Sequence, residues 1–536
     1  MRRLSPYPFV FALLAIAARL PFLISAKIAF DSDEAVEGLM ARHVLHGELP
    51  AFFWGQAFKG VPEVYAAAAA FAVFGSSVTV LKSVTLAFFA VFVGLNFALL
   101  DKIAGRWMAV TTSLLLIVAP PALVFWSLDA SAEYIVIMML GTIFLFLCLR
   151  LEESRQAAKR TLLATGLVVG LGFWVHQIFA FYFVPAMLIF AFQSDWWTTR
   201  PLGRARFPVM VLATIAVLYL VLAAVAFLTG GFSFQLGSTT LGAHAPQKML
   251  RIAFGIAAIA LGVHLFSNLS GATAREYARR YWPLAAGFLA GYSPVLVYSV
   301  LVEPARSPSR VANLRQLLRA APDIFGNVIP ILAGFKMATT ERLDIPLAAA
   351  ALIVAALASY IATIRHRIGD FARLRAASPT LAVDFFPLFI IFVPLVFLLS
   401  GAYIDTQSYR YLIPYYAGLC IALSAGSLAL GRGDTNIASV FAGTLLIVFA
   451  LQQFAWYQKL VPDTESARIV ECLKREGIRG GYADYWTSYK LTFLSNEDII
   501  LAPTSGVDRH PAYTEFVRAL PEDQRVTNLA SCGVSQ

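Results

Sequence analysis

FPVMVLATIAVLYLVLAAVAFLT, residues Phe207 to Thr229, runs without a single charged side chain. Coiled as a helix with a rise of about 1.5 Å per residue, it is long enough to cross a hydrocarbon core of about 30 Å. Working outward in both directions, the same signature returns at 8–29, 79–100, 107–125, 131–149, 161–177, 179–193, 250–268, 283–302, 345–364, 384–401, 411–430 and 436–456. Residues 161–193 are too many for one crossing, so the run is divided near His176–Gln177. The expected fold is an all-α polytopic membrane protein of about thirteen transmembrane helices. Composition agrees: 59% of the residues are hydrophobic and 14% charged, against about 25% charged in an average soluble domain. That balance excludes an ordinary soluble enzyme and a disordered chain.

The net charge of +10 is explained by loop topology rather than by nucleic acid. Lys and Arg crowd alternate loops: Arg2 and Arg3, then Lys102 and Arg106, then Arg150, Arg155, Lys159 and Arg160, then Arg200, Arg204 and Arg206, with later groups at 275–280 and 365–375. Positive loops stay on the cytoplasmic side. The N-terminus is therefore expected in the cytoplasm and, after thirteen crossings, the C-terminus outside. Met1-Arg2-Arg3 before an apolar run resembles a secretory signal, but Arg19 interrupts the run and no small-residue cleavage site follows. It reads as an uncleaved first span in a bacterial-type cytoplasmic membrane. No internal repeat is visible, which counts against a secondary transporter.

Two units follow: a transmembrane part, 1–456, with an outer loop at 30–78, and a small extracytoplasmic α/β domain, 457–536. In the tail a helix is expected from Thr464 to Glu476, stopped by Gly477, then strands near Gly481–Asp484 and Ile499–Ala502, then a helix from about Ala512 to Leu520. Cys472 and Cys532 both fall in this tail, where the redox environment permits a disulfide. Cys148 and Cys420 lie at or inside spans.

The sharpest motif is Phe30-Asp31-Ser32-Asp33-Glu34, at the outer end of the first span. Carboxylates at a membrane boundary are costly unless solvated, paired or used. Asp31 and Asp33, spaced as Asp-x-Asp, can hold a divalent cation through hard oxygen ligands. One carboxylate alone can serve as general base on a hydroxyl. Helix capping accounts for the same residues: Asp31 or Ser32 would cap a helix over 33–46, with Asp33, Glu34 and Glu37 complementing its dipole. His43 and His46, three apart on that helix, could ligate zinc; satisfied interfacial histidines are the more common reading. The loop continues through Gly47 and Trp54 to Lys59-Gly60-Val61-Pro62. A second outer loop reads Trp126-Ser127-Leu128-Asp129-Ala130-Ser131-Ala132-Glu133-Tyr134, and Tyr409-Arg410-Tyr411-Leu412-Ile413-Pro414 opens a late span. Arg19, inside the first span, is expected in a structural ion pair.

These residues resemble the GT-C superfamily of integral-membrane glycosyltransferases, most of all the branch of protein O-mannosyltransferases and the lipid A aminoarabinose transferase. Asp33-Glu34 look like that branch's acidic pair, His46-Gly47 and Lys59 with Pro62 like its later loop motif, Asp129 like its second acid, and Arg410 to Pro414 like its late-span start. One departure is Gly60-Val61 between the Lys and the Pro. Tyr482 to Trp486 look like tails of uncharacterised bacterial members and add no chemistry. The resemblance implies a sugar donor carried on a polyprenyl phosphate, transfer to an acceptor with inversion, and a site at the outer face. Asp33, Glu34 and Asp129 would be catalytic, with Asp31, Lys59 and Arg410 binding substrate. A divalent cation on Asp31 and Asp33 is the one cofactor the residues suggest. Cations at Lys59 and Arg410 suit a phosphate at the bilayer boundary. The competing functions are a flippase for a lipid-linked saccharide, which would line a route with charges, and a non-catalytic envelope-assembly subunit, which would tolerate changes in the acidic loop. The sugar and the acceptor are not specified by any motif.

Overall fold

The computed structural model describes residues 5–130, 133–153, 158–193, 206–236, 239–243, 246–267, 271–302, 313–336, 345–373, 379–526 and Cys532. The chain is a polytopic helical membrane protein carrying a small α/β unit at its C-terminus. Among the described residues each expected span falls on helix, 107–125 with a break. Among the described residues, nine helices are long and apolar enough to cross a membrane, from Tyr7–Ile24 to Thr435–Lys459.

The expected span 107–125 is two helices, Arg106–Ile117 of 12 residues and Pro121–Trp126 of 6. Neither reaches across about 30 Å. Pro120 and Pro121 cause the break, because a proline lacks the N–H a helix needs and forces the residue before it out of the α region. The break leaves a carbonyl at Ile117, and Arg19 supplies the donor: its Nη1 donates to Ile117 O at 2.6 Å and its Nε to Ser127 Oγ at 2.8 Å. The guanidinium also lies 5.1 Å from the Phe89 ring centre. Arg19 is fully buried, and among the described residues its hydrogen-bond partners are neutral, in place of the expected ion pair. The division of 161–193 falls at His176, which sits in extended backbone between Lys159–Val175 and the turn that starts Ala180–Gln193. Its Nδ1 accepts from Ile178 N at 3.1 Å.

Small residues set the closest helix contacts, as they do where backbones approach within a bilayer. On Lys159–Val175 a Cβ at Gly166 would stand 2.0 Å from Leu284 O, and one at Gly170 2.4 Å from Phe288 O. On the facing helix Gly271–Leu301, Gly287 and Gly291 meet Leu163 O and Leu167 O in the same way, at 2.1 and 2.3 Å. Two Gly-x-x-x-Gly pairs therefore interlock. A large aromatic and aliphatic core, including Phe89, Phe92, Phe97, Phe144 and Phe389, fills the bundle.

The loop after the first span folds as the helix Ser32–Leu45, an antiparallel pair Phe52–Phe53 with Gln56–Gly60, and the helix Pro62–Phe74. Asp31 is the N-cap of the first helix, its Oδ1 accepting from Glu34 N at 3.0 Å. The tail places strand Gly480–Ala483 between Ile500–Pro503 and Arg525–Val526, all parallel. Helices Glu465–Arg475, Tyr485–Leu494 and Pro511–Ala519 surround it. Gly477 ends the first of these with φ 72°, a conformation glycine adopts without strain. Cys472 and Cys532 are bridged, with Cα atoms 5.8 Å apart. The helix Tyr485–Leu494 has no counterpart in the sequence reading. Its aromatic and β-branched residues are weak helix formers, and its start is fixed by Asp484, whose side chain accepts from Trp486 N and Thr487 N.

Candidate active site

The helix Ser32–Leu45 is buried along most of its length, clasped between the helices Pro62–Phe74 and Tyr485–Leu494. Gly38 allows the clasp, since a Cβ there would lie 2.4 Å from the Phe493 ring. The cap at Asp31 fixes where the next two acids point.

Glu34 points inward and is fully buried. Lys82 Nζ donates to both of its oxygens at 2.7 Å, and Ala130 N donates to Oε1 at 2.9 Å. Lys82 also donates to Ala29 O at 3.0 Å and Leu128 O at 3.4 Å. One ion pair thus ties the acidic loop to the loop that carries Asp129, itself buried. Asp31 lies beside Asp129. Burial pushes the Asp31 carboxyl up to about 6, and the charges of Asp129 and Asp33 push it the same way. Such crowding of carboxylates is what a cation relieves. Asp31 thus has hard oxygen donors on two sides, Asp33 on its own loop and Asp129 on the neighbouring one.

Lys59 sits on the strand Gln56–Gly60, buried. Its Nζ is 3.1 Å from Glu133 Oε2 and 3.4 Å from Glu37 Oε1, and 4.4 Å from the Phe53 ring centre. Burial works against its charge, but Glu133 and then Glu37 outweigh it and hold the ammonium above the ordinary lysine range. Asp33 adds to the same field. Nearby, Glu63 accepts from Thr85 Oγ1 at 2.9 Å, and His176 Nε2 stands 3.9 Å from Glu133 Oε1. Gly60, between Lys59 and Pro62, has a local cause: a Cβ there would be 2.5 Å from Trp174 O.

Arg410 lies on the turns Thr406–Tyr415 that lead into Tyr416–Leu430. Its guanidinium is 5.4 Å from the Tyr411 ring centre and within electrostatic reach of Tyr134 and Glu133. Trp126, Tyr134, Tyr409 and Tyr411 form a chain of edge-to-face rings beside it, with centres 5.3 to 6.4 Å apart. Glu133 is the acid whose charge acts on both Lys59 and Arg410.

The tail enters the same region. Tyr485 Oη donates to Asp33 Oδ1, and Arg509 Nη2 stands 3.6 Å from that oxygen. The segment Tyr482 to Trp486, expected to add no chemistry, thus touches the leading candidate for the base. Lys82, Glu37, Glu63, Glu133, Tyr485 and Arg509 were not assigned to the site from sequence. Lys82 carried a signal, being a lone cation near the start of an apolar span; Tyr485 and Arg509 carried none.

His43 has both ring nitrogens engaged: Nδ1 with Glu48 Oε1 at 2.7 Å, Nε2 with Tyr513 Oη at 3.1 Å and Glu497 Oε1 at 3.2 Å. Arg42 donates to Phe493 O and Asn496 Oδ1. These residues dock the tail. Among the described residues the one cluster of three metal-type ligands is Cys472, Glu476 and Cys532, whose sulfurs are bridged.

No protein-family model matches the chain, and no curated protein sequence matches it. Solved structures do. Over 98% of its length it is similar to ArnT from Cupriavidus metallidurans in the apo state, at 11% identity and TM-score 0.48, covering 90% of that chain. The same protein bound to undecaprenyl phosphate gives 10% identity and TM-score 0.45. The archaeal oligosaccharyltransferase AglB from Archaeoglobus fulgidus, in complex with an inhibitory peptide and a dolichol-phosphate, matches over 92% of the chain at 14% identity and TM-score 0.46. The chain spans 64% of the length of that oligosaccharyltransferase.

Proposed function

We propose that this protein is a glycosyltransferase that moves a sugar from a polyprenyl-phosphate-linked donor to an acceptor at the outer face of a bacterial-type cytoplasmic membrane. The observation that carries the reading is that the loop of Asp31 and Asp33 is tied to the loop of Asp129 through Glu34, Lys82 and the Ala130 amide, with the tail seated on Asp33. Whereas Glu34 is fully buried, Asp33 keeps solvent access, with 28% of its side chain exposed. It takes the proton of the acceptor hydroxyl as that oxygen attacks the anomeric carbon. The bond from that carbon to the phosphate oxygen breaks, the electron pair leaves with the phosphate, and the anomeric centre inverts. Arg410 and Lys59 stabilise the charge that develops on the phosphate. Lys59 does so from within its carboxylate pair. Asp129 acts as the second acid beside Asp31. A divalent cation held by Asp31 and Asp33 would supply further positive charge to the leaving phosphate. Glu34 serves by holding the two loops together through Lys82. The disulfide in the tail supports an outer, oxidising location for this face.

Mass spectrometry of envelope glycans and polyprenyl-linked sugars, in cells with the gene, without it, and with Asp33→Asn, tests the reading. Loss of one glycan and accumulation of one lipid-linked sugar in both altered strains is expected. Unchanged profiles would sink it.

A further inference from the structure

The outer oxygen of Asp33 is held by a built chain of donors that begins in a different part of the molecule. Gln56, with its amide oxygen turned toward Arg509, accepts from Nη1 at 3.0 Å and from Nη2 at 2.9 Å. The guanidinium lies between two aromatic rings, 5.3 Å from the centre of Phe53 and 5.5 Å from that of Tyr485. Its Nε donates to Tyr485 Oη at 3.0 Å. A phenol has one hydrogen. With its oxygen already accepting from Arg509, that hydrogen goes to Asp33 Oδ1. The loop carrying Arg509 is itself pinned, because Tyr489 Oη accepts from Arg509 N at 2.7 Å and from His510 N at 3.3 Å.

We propose that Tyr485 and Arg509 are positioning residues for Asp33, which makes the C-terminal tail part of the catalytic site rather than a cover over it. This rests on the reading of Asp33 as the base. Tyr485, by a hydrogen bond, and Arg509, by its charge, both address Oδ1. Among the described residues, Oδ2 makes no hydrogen bond, and it is the oxygen left to meet an acceptor hydroxyl. A base oriented by a third group is the recurring logic of activated sites. A carboxylate at a helix start would otherwise turn freely about its side-chain bonds. A hydrogen bond from Tyr485 and the nearby charge of Arg509 on one oxygen fix the plane of the other.

The charged and titratable groups that face Asp33 are Asp31 on its own loop, Lys59 on the adjacent strand, and Tyr485 and Arg509 from the tail. Tyr485→Phe keeps the ring and its packing but removes the donor to the carboxylate. Asp33 then loses its fixed plane, so kcat falls while binding of the lipid substrates does not. The experiment uses the full chain solubilised in detergent, supplied with lipid extract from the same cells as donor and acceptor, and follows initial rates by mass spectrometry as the extract is varied. For Tyr485→Phe kcat is expected to fall roughly tenfold to a hundredfold, as for other small misplacements of a reacting group, with the apparent KM for the extract unchanged. Arg509→Lys should lower kcat by less, and the double variant should not exceed Tyr485→Phe by the sum of the two. Amide hydrogen exchange over Ser32–Leu45 reports whether the tail stays docked. Should Tyr485→Phe undock it, Arg509→Lys, whose loop remains held by Tyr489, decides. A kcat that stays put with the tail docked overturns this inference while Asp33→Asn remains inactive. Full activity of Asp33→Asn overturns the underlying assignment of the base instead.

Discussion

Glu34 and Asp33 are neighbours in sequence with opposite fates. Glu34 faces the bundle and binds Lys82 and the Ala130 amide; Asp33 faces the tail. A single helical step of about 100° separates the two directions. Their substitutions should therefore fail differently. Asp33→Asn is expected to cost about 10²–10⁴-fold in transfer with the protein still folded. Glu34→Gln leaves the Lys82 ammonium buried without its counter-charge, and breaking such a pair costs about 3–5 kcal/mol. It should appear as lost thermal stability in detergent. Glu34→Leu with Lys82→Met should recover much of that loss, because apolar pairs replace buried ion pairs with little penalty. If the double variant is no more stable than Glu34→Gln, the pair is not the source of the effect. Arg19 belongs at this scale too. It satisfies a carbonyl that a proline break leaves open, so its charge serves hydrogen bonding inside the bundle.

The helix Ser32–Leu45 is the element on which the site depends, and its packing makes two predictions. Gly38→Ala places a methyl group into the Phe493 ring. Phe493 is buried, so the tail helix has to shift, at a cost of about 1–3 kcal/mol. Faster amide exchange over Tyr485–Leu494 would register it; unchanged exchange would refute the clasp. The second prediction concerns pH. The hydrogen bond to Glu497 raises the His43 pKa. Its contribution to docking is therefore full below the ordinary histidine value of about 6.5 and is lost as pH rises through the higher folded value. Glu497 is held below its ordinary range; burial pushes it up, but hydrogen bonds from His43 and Tyr513 outweigh that. Its contribution is present above about pH 4.3 and is lost as pH falls through the depressed value. His510, lowered by burial and then by His43, adds a loss on the acid side. The tail should thus exchange faster as pH rises past neutrality, after correction for intrinsic exchange, and His43→Gln should flatten that rise. A wild-type profile as flat as the variant's would remove His43 from the dock.

At the scale of the molecule, the tail and the loop after the first span form one polar cap on the end of the bundle. The bridge from Cys472 to Cys532 closes a loop of 60 residues. In the chain-entropy account, a loop of that size stabilises its unit by about 4 kcal/mol. Reduction, or Cys472→Ser with Cys532→Ser, should lower the melting temperature of the tail and leave the bundle's unchanged. A melting curve insensitive to reductant would contradict this. The same cap sets a topological prediction. A reporter that functions only outside the cytoplasm should be active when fused after Gln458, and a reporter active only in the cytoplasm should be silent there. The reverse result would move the whole candidate site to the other face.

The sequence by itself determined the features written in neighbouring residues. Apolar runs of membrane length, the division at His176, the cap at Asp31, the Gly477 stop and the cysteine pair each follow from hydropathy, local backbone preference or compartment. These forces act over a few residues, so a linear reading reaches them. The break at Pro120 was equally local and readable, yet the apolar run around it masked it. Only the tertiary structure decided which charges meet. Tyr485 and Asp33 lie 452 positions apart, Glu34 and Lys82 lie 48 apart, and no periodicity relates them. Lys59 lies between Glu37 and Glu133 because a strand, a loop helix and a membrane helix converge there. The helix Tyr485–Leu494 forms against its own weak propensity because burying Tyr489, Leu491 and Phe493 outweighs it. Hydropathy placed the carboxylates at the membrane boundary; packing between distant segments decided which of them stayed exposed to solvent and which were neutralised inside.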